Sequence, residues 1–232
     1  YQDKENKLSY VHQTSWGVTT RLIGAIIMSH GDNNGLVLPP DVAPIQVVIL
    51  PIAQHKEGVL DKAYELKERL AKSFRVKVDD SENSAGWKFA EYEMKGVPLR
   101  LEIGPKDIEN NQCVLVRRDN REKIFVSLDN LEAEITKALE DFAQAIYDKA
   151  LENLNKHTFA CTTIDEINKA LAENGDGFIK AMWCGDRECE DALKEQAGVS
   201  SRCIPFVQEK IGGTCVCCGK PADKMLYWGK AY

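Results

Sequence analysis

Apolar and polar positions change period repeatedly along the chain, and these changes outline its secondary structure. The continuous apolar run IQVVILPI at 45–52 is typical of a strand buried on both faces. Residues 57–72 carry apolar side chains at helical spacing, which predicts an amphipathic helix. The same criteria predict strands at 74–78, 98–103, 113–116, 124–126 and 178–183, and helices at 84–94, 129–154 and 163–173. Strands that alternate with helices indicate an α/β fold with a mixed, helix-covered sheet.

The segment 14–41 has a pattern of its own, because small residues precede a single arginine and an apolar run. Small and apolar side chains alternate over 15–19, which predicts a strand, and 22–28 predicts a buried helix. Arg21 lies on the strand face that carries Ser15, Gly17 and Thr19. A floor of small residues beside one arginine suits a purine ring and a phosphate, since guanidinium is planar and always charged. A buried strand whose arginine forms a structural ion pair explains the same pattern equally well.

A connector rich in proline follows this segment. The sequence GLVLPPDVAP at 35–44 contains three prolines, which restrict the backbone and remove hydrogen-bond donors. We therefore expect a rigid extended link with a domain boundary near Ala43. The predicted domains are 1–43, 44–150 and 151–232.

Charge and cysteine usage narrow the class of protein. The net charge of −6 argues against non-specific coating of nucleic acid, which requires a basic surface, but it allows a local basic patch. No apolar run has the length of a transmembrane helix and the first residues do not resemble a signal peptide, so we expect no membrane association. Six of the eight cysteines lie between Cys184 and Cys218, a metal-type spacing that predicts a reducing, cytoplasmic environment.

The middle domain concentrates charged and aromatic residues between 86 and 107. Arg100 and Glu102 share one strand face, and Glu93 lies one helical turn after Phe89. Arginine can pair with guanine, carboxylates can accept from base amino groups, and an aromatic ring can stack on an unpaired base. The alternative is an ordinary surface ion pair on a solvated strand. Two further arginines, at 117 and 118, fit either phosphate contacts or a solvated turn.

The last domain carries close cysteine pairs that are typical of a zinc site. Cys184 and Cys189 are separated by four residues, and Cys215 and Cys218 form a CxxC motif followed by glycine. Cys217 lies between the last two and is an alternative ligand to either. Without histidine or an open ligand position, the site predicts structural rather than catalytic zinc; a metal-free cluster remains the alternative. We expect buried core thiols at the remaining positions, Cys113, Cys161 and Cys203.

Stretches from all three predicted domains resemble one known family. SWGVTTRLIGAII resembles motif 3 of class II aminoacyl-tRNA synthetases, although Ser15 and Thr19 replace two usual glycines. HGDNNGLVLPPDVAPIQVVILP and GWKFAEYEMKGVPLRLEIGPKD resemble the archaeal/eukaryotic type of prolyl-tRNA synthetase. WCGDRECED, RCIPF, CVCCGKPADK and LYWGKAY are similar to the extra C-terminal zinc domain of that type.

The resemblance implies the C-terminal part of a class IIa synthetase, which lacks motifs 1 and 2. Its fold would combine the end of a class II catalytic domain, an α/β anticodon-binding domain and a small α+β zinc-binding domain. The complete enzyme would activate L-proline with ATP and Mg²⁺, transfer it to tRNA(Pro) and form a homodimer. Arg21 would stabilise phosphate charge as the catalytic residue.

The resemblance also assigns the other site residues. The adenylate pocket would include Trp16, Gly17 and Thr19. The two guanines of the anticodon would be read by Phe89, Glu93, Arg100, Lys106 and Asp107. Structural zinc would be held by Cys184, Cys189, Cys215 and Cys218, with Cys217 as the alternative, and the terminal carboxylate of Tyr232 would return to the active-site region.

Two other functions remain compatible with parts of the sequence. A class IIa synthetase for histidine, threonine or glycine would share the anticodon-binding fold but not the terminal cysteine domain. A non-enzymatic, zinc-containing RNA-binding module would have no use for motif 3.

Overall fold

The computed structural model describes residues 1–11, 13–175 and 177–230. They form two compact units, Tyr1–Tyr147 and Asp148–Tyr232. Among these residues, no helix combines the length and the apolar character needed to cross a membrane. The domain boundaries near 43 and 150 stay predictions.

A five-stranded mixed sheet organises the first unit. Its strands are β1 (Val47–Pro51), β2 (Val76–Val78), β3 (Leu99–Ile103), β4 (Gln112–Arg117) and β5 (Lys123–Ser127). Their order is β2-β1-β3-β4-β5, with β1 parallel to both neighbours and the β3–β4 and β4–β5 pairs antiparallel. The prediction of an α/β domain with a mixed sheet is confirmed.

Helices cover both faces of this sheet. The helices are α1 (Arg21–His30), α2 (Val59–Leu70), α3 (Ala85–Met94), α4 (Pro105–Glu109) and α5 (Leu131–Lys156), and a short 3₁₀ helix spans Leu128–Asn130. On one face, Ile49 of β1 packs in a core with residues of α2 and α5, whereas Leu50 packs in a second core with Tyr92 of α3. Successive residues of a strand point to opposite faces, so β1 is apolar throughout because both faces are covered.

The strand predicted at 15–19 does not form in this chain, and the helix predicted at 22–28 forms without being buried. Residues 13–19 form no strand, and Trp16 is 92% exposed. Helix α1 does form, but none of its residues is buried. A strand requires a hydrogen-bonded neighbour and an apolar helix face requires a packing partner. The described part of the chain supplies neither to this segment.

Strands and helices also alternate in the second unit. Its elements are β6 (Thr158–Ala160), α6 (Ile164–Asn174), β7 (Phe178–Trp183), α7 (Arg187–Ala197), β8 (Val199–Cys203) and β9 (Lys224–Lys230). The strand order is β6-β7-β9-β8, with β6 and β7 parallel and the other pairs antiparallel. Trp228 is completely buried in a core with residues of both helices.

Two of the three expected core thiols are buried. Cys113 and Cys161 lie in the cores of their units, as predicted. Cys203 is exposed, and the expectation that it is buried is wrong. It ends β8, an edge strand of the sheet, and the apolar residues that follow it, Ile204 and Phe206, are exposed as well.

Candidate nucleic-acid interface and metal centre

Strand β3 presents Arg100 to the face of the sheet that carries α3. Its neighbours Leu99 and Leu101 enter the opposite core, and the alternation of side chains places Arg100 on the α3 side. The side chain is only 9% exposed, and its guanidinium carbon lies 4.0 Å from the centroid of the Phe89 ring. The guanidinium therefore stacks on an aromatic face, a favourable cation–π arrangement.

Two carboxylates accept hydrogen bonds from the same guanidinium. Nε of Arg100 donates to Oε1 of Glu102 at 2.9 Å, and Nη1 donates to Oε1 of Glu93 at 3.3 Å. The second oxygens face further cations: Nη2 of Arg121 lies 3.7 Å from Glu93, and Nζ of Lys123 lies 4.0 Å from Glu102. The result is a partly enclosed group of hydrogen-bond donors, acceptors and one aromatic ring. We call it the Arg100 cluster, and its members are Phe89, Glu93, Arg100, Glu102, Arg121 and Lys123.

The alternative interpretation of this region, an ordinary surface ion pair, is wrong in one respect. Arg100 is buried, so the pair is not an ordinary ion pair on a solvated strand. Arg117, the last residue of β4, and Arg118 after it are also engaged with protein groups. Arg117 binds Asp119 through Nε and Nη2 at 3.0 and 2.7 Å. Arg118 binds Asp32 and is almost completely buried, so both guanidinium groups have carboxylate partners within the protein.

Lys106 and Asp107 lie apart from the Arg100 cluster, on α4. Lys106 is exposed, whereas Oδ2 of Asp107 accepts from the backbone N–H of Gly104 at 2.9 Å and caps the helix. No hydrogen bond or ion pair among the described residues joins either side chain to the cluster. Of the five residues assigned to the anticodon, the structure thus brings together Phe89, Glu93 and Arg100.

Sequence reasoning did not find Arg121 and Lys123. Both flank the start of β5, and the antiparallel β4–β5 pairing sets Lys123 opposite Val116. A lysine and an arginine beside a polar turn carry no local signal for such a role. Only the hairpin brings them to the carboxylates of α3 and β3.

Four cysteines of the second unit converge on one point. The Sγ atoms of Cys184, Cys189, Cys215 and Cys218 all lie within 4.8 Å of one another. Sγ of Cys184 is 3.7 Å from that of Cys189 and 3.8 Å from that of Cys218. A tetrahedron with Zn–S bonds of about 2.3 Å has edges of about 3.8 Å. The donor set and its spacing therefore fit tetrahedral zinc.

Cys217 is not a member of this group. Its side chain is half-buried and packs against the core of the second unit. The structure thus favours Cys218 over Cys217 as the fourth thiol. Both choices were open in the sequence because the residues are adjacent.

The four thiols come from two short segments, the junction of β7 with α7 and the turn at 215–219. Cys184 directly follows β7, and Cys189 lies in the first turn of α7, whose N-cap Asp186 accepts from the backbone N–H of Glu188 at 3.1 Å. In the second turn the N–H of Gly219 donates to the carbonyl of Cys215 at 3.0 Å, and Gly219 adopts a φ of +72°. The glycine of the CxxC-G motif is required there because this conformation is unfavourable for other residues.

The pKa values of the thiols depend on burial and on nearby hydrogen-bond donors. Burial would raise the pKa of Cys215, but backbone N–H groups of Cys218 and Cys217 lower it to about 7. Burial and the neighbouring thiols raise the pKa of Cys189 far above its usual value. Four thiolates at this separation repel one another, so full ionisation of the group requires a bound cation.

The residues assigned to the ATP site lie on the surface of the described part of the chain. Trp16, Gly17, Thr19 and Arg21 are exposed, and Tyr232 lies outside the described residues. Their roles in ATP and active-site binding stay predictions.

Comparisons with known proteins agree with this organisation. Residues 46–138 match the family model described as "Anticodon binding domain", and residues 164–232 match "Prolyl-tRNA synthetase, C-terminal". Over all 232 residues the chain is 62% identical to a proline–tRNA ligase of Ruminiclostridium cellulolyticum and 65% identical to one of Clostridium novyi. The whole chain is matched but covers 48% of each relative, so it spans about half of their length.

The assignment to the archaeal/eukaryotic type stays a prediction. Both the C-terminal model and the curated relatives carry the name of the proline enzyme. Over the residues compared, the chain is therefore similar to the C-terminal region of prolyl-tRNA synthetases, including their anticodon-binding domain.

Proposed function

We propose that this chain reads the anticodon of tRNA(Pro) for an enzyme that activates L-proline with ATP and transfers it to that tRNA. The observation that carries the proposal is the Arg100 cluster. The guanidinium of Arg100 is buried, stacked on Phe89 and held between Glu93 and Glu102. Burial of these charges costs desolvation free energy, which an ordinary surface ion pair avoids. The same arrangement of donors, acceptors and a ring suits recognition of the edge of an unpaired base.

The chemistry of the cluster matches guanine. A guanidinium has five N–H donors, and the two carboxylates use two of those of Arg100. The others can donate to O6 and N7 of guanine, which is the commonest specific contact of arginine with a base. The carboxylate oxygens of Glu93 and Glu102 can accept from the N–H groups of a guanine Watson–Crick edge. Lys106 and Asp107, on the neighbouring helix α4, would contact the second guanine.

The catalytic role belongs to the complete enzyme. Arg21 would stabilise phosphate charge of ATP, with Mg²⁺ bound to the nucleotide and with Trp16, Gly17 and Thr19 beside the adenylate. These residues are exposed here, which is consistent with a pocket that other parts of the enzyme complete. The homodimeric state, the cytoplasmic location and the return of the Tyr232 carboxylate to the active site are part of the same proposal.

The cysteine group would hold structural zinc. Its four thiolates leave no open ligand position, so the metal would stabilise the fold of the second unit rather than bind substrate. The close match of the Sγ separations to a zinc tetrahedron supports this assignment.

An RNA-binding measurement tests the proposal. The chain is titrated with the anticodon stem–loop of a proline tRNA and with a matched stem–loop in which both anticodon guanines are replaced, at one fixed moderate salt concentration. We expect a clear preference for the native anticodon. Equal affinity for the two RNAs would refute anticodon reading by this chain.

Arg100→Lys tests the central residue. Lysine keeps the charge but loses the planar fork and the stacking on Phe89. We expect it to weaken binding of the native stem–loop by about 1–3 kcal/mol, the range for one lost base contact. Arg69→Lys is the control, because Arg69 pairs with Glu132 away from the cluster. A similar loss in both variants would show that the effect is not specific to Arg100.

A further inference from the structure

Arg118 is a buried cation that the proposed function leaves without a role. Its side chain is 3% exposed. Nη1 and Nη2 donate to the two carboxylate oxygens of Asp32 at 2.9 and 2.7 Å, and Nε donates to the backbone carbonyl of Glu93 at 2.8 Å. A guanidinium can make both contacts at once because its donors point in fixed, different directions.

The contact with Glu93 lies at the end of helix α3. Glu93 belongs to the last turn of α3, where its carbonyl accepts from the N–H of Gly96, just beyond the helix, at 3.1 Å as well as from Arg118. A cation at this end also interacts favourably with the helix dipole. The side chain of the same residue belongs to the Arg100 cluster. Arg118 therefore fixes the backbone of a residue whose carboxylate is proposed to read a base.

The contact with Asp32 belongs to the segment after α1. The carboxylate of Asp32 also accepts from the N–H of Asn34 at 2.8 Å, and its backbone N–H donates to the carbonyl of Gly35 at 3.0 Å, which closes a tight turn. The chain then pairs with the end of α3: Leu36 N–H donates to Met94 at 3.0 Å. Leu38 N–H donates to the carbonyl of Gly96 at 3.3 Å. Residues 32–38 thus enclose the end of the base-reading helix.

We propose that Asp32 and Arg118 are positioning residues for the Glu93 carboxylate, so that the anticodon-reading unit includes residues 32–38. The proposal rests on the proposed function above. It extends the reading unit upstream of the boundary predicted near Ala43. A displacement of a binding group by about 1 Å is enough to impair its function strongly, so the position of the last turn of α3 controls recognition.

Arg118→Lys separates this role from a purely structural one. A lysine ammonium has no fork and cannot bind Asp32 and the Glu93 carbonyl in the same geometry. The matched control is Arg117→Lys, since Arg117 precedes Arg118, is mostly buried and binds a carboxylate through two nitrogens, but that carboxylate is Asp119. General destabilisation affects both variants. A specific loss of base reading affects only Arg118→Lys.

The readout is the ratio of affinities for the native and the guanine-replaced stem–loops, measured with the whole chain at fixed salt. We expect Arg118→Lys to reduce this ratio by about tenfold and Arg117→Lys to leave it unchanged. Asp32→Asn, a substitution at a partly exposed position, should reduce the ratio in the same direction. It decides the question if Arg118→Lys does not fold.

Each outcome bears on one proposal. A wild-type chain without preference refutes the proposed function itself. A wild-type chain with preference, together with folded Arg118→Lys and Asp32→Asn variants that retain it, overturns the positioning role alone. An equal loss of the ratio in Arg117→Lys overturns it as well.

Discussion

Two glycines allow the segment after α1 to lie directly against the end of α3. Gly35 has a φ of +127°, and a Cβ added there would lie 2.5 Å from Cα of Met94. Gly96 has a φ of +70°, and its added Cβ would lie 2.6 Å from Cβ of Leu36. Both positions therefore combine a left-handed backbone with a close approach that a side chain would prevent.

Gly35→Ala tests the importance of this contact for stability. The new methyl group would meet backbone atoms of Met94 that cannot rotate away, so we expect a loss of more than about 2 kcal/mol in the free energy of unfolding. Gly58→Ala is the control, because Gly58 has a φ of +79° but open space around it. There we expect only the conformational cost, about 1–2 kcal/mol. Urea denaturation followed by tryptophan fluorescence compares the two, and equal losses would contradict the close approach.

Among the elements, a few short segments from different parts of the chain build each site. The end of α3, strand β3 and the β4–β5 hairpin form the Arg100 cluster. The β7–α7 junction and the 215–219 turn form the cysteine group. Each element carries one or two of the functional side chains, so neither site exists until its elements pack.

Adjacent cysteines give a direct test of the second arrangement. Cys218→Ser removes a thiol of the group, and we expect the bound zinc to fall well below about one ion per chain and the second unit to lose stability. Cys217→Ser leaves all four converging thiols in place and should retain the metal. Zinc is measured by atomic absorption after gel filtration. Retention of zinc by Cys218→Ser with loss by Cys217→Ser would reverse the assignment.

At the scale of the whole molecule, the two compact units have separate cores. The buried residues of the first unit cluster around its five-stranded sheet, and those of the second cluster around Trp228 and its neighbours. The cysteine group belongs entirely to the second unit, and the Arg100 cluster belongs entirely to the first. Perturbation of one site should therefore leave the other largely intact.

Removal of metal should affect the units unequally. A strong chelator removes the cation that compensates repulsion among the thiolates, so we expect the second unit to unfold and the buried ring of Trp228 to become exposed, with a red shift of its fluorescence. The preference of the first unit for the native anticodon stem–loop should persist. Loss of that preference upon chelation, or an unchanged emission spectrum, would contradict independent units.

Much of the secondary structure could be predicted from local patterns. The apolar run of β1, the helical stripe of α2 and the helices predicted at 84–94 and 163–173 are confirmed. Strands β6, β8 and β9 were not predicted, because β6 is very short and the apolar and polar residues of β8 and β9 do not alternate regularly. The strand expected at 15–19 failed for a different reason, since pairing partners lie outside the local pattern.

The sequence by itself determined the alternation of elements, the chemical nature of both sites and the resemblance to a synthetase family. These properties depend on residue type and on spacing along the chain. Tertiary structure alone decided that Cys218 rather than Cys217 joins the thiol group, that Arg100 is buried and that α1 is exposed. It also paired Asp32 with Arg118, 86 positions apart. Contacts at such separation depend on how elements pack, and periodicity carries no information about them.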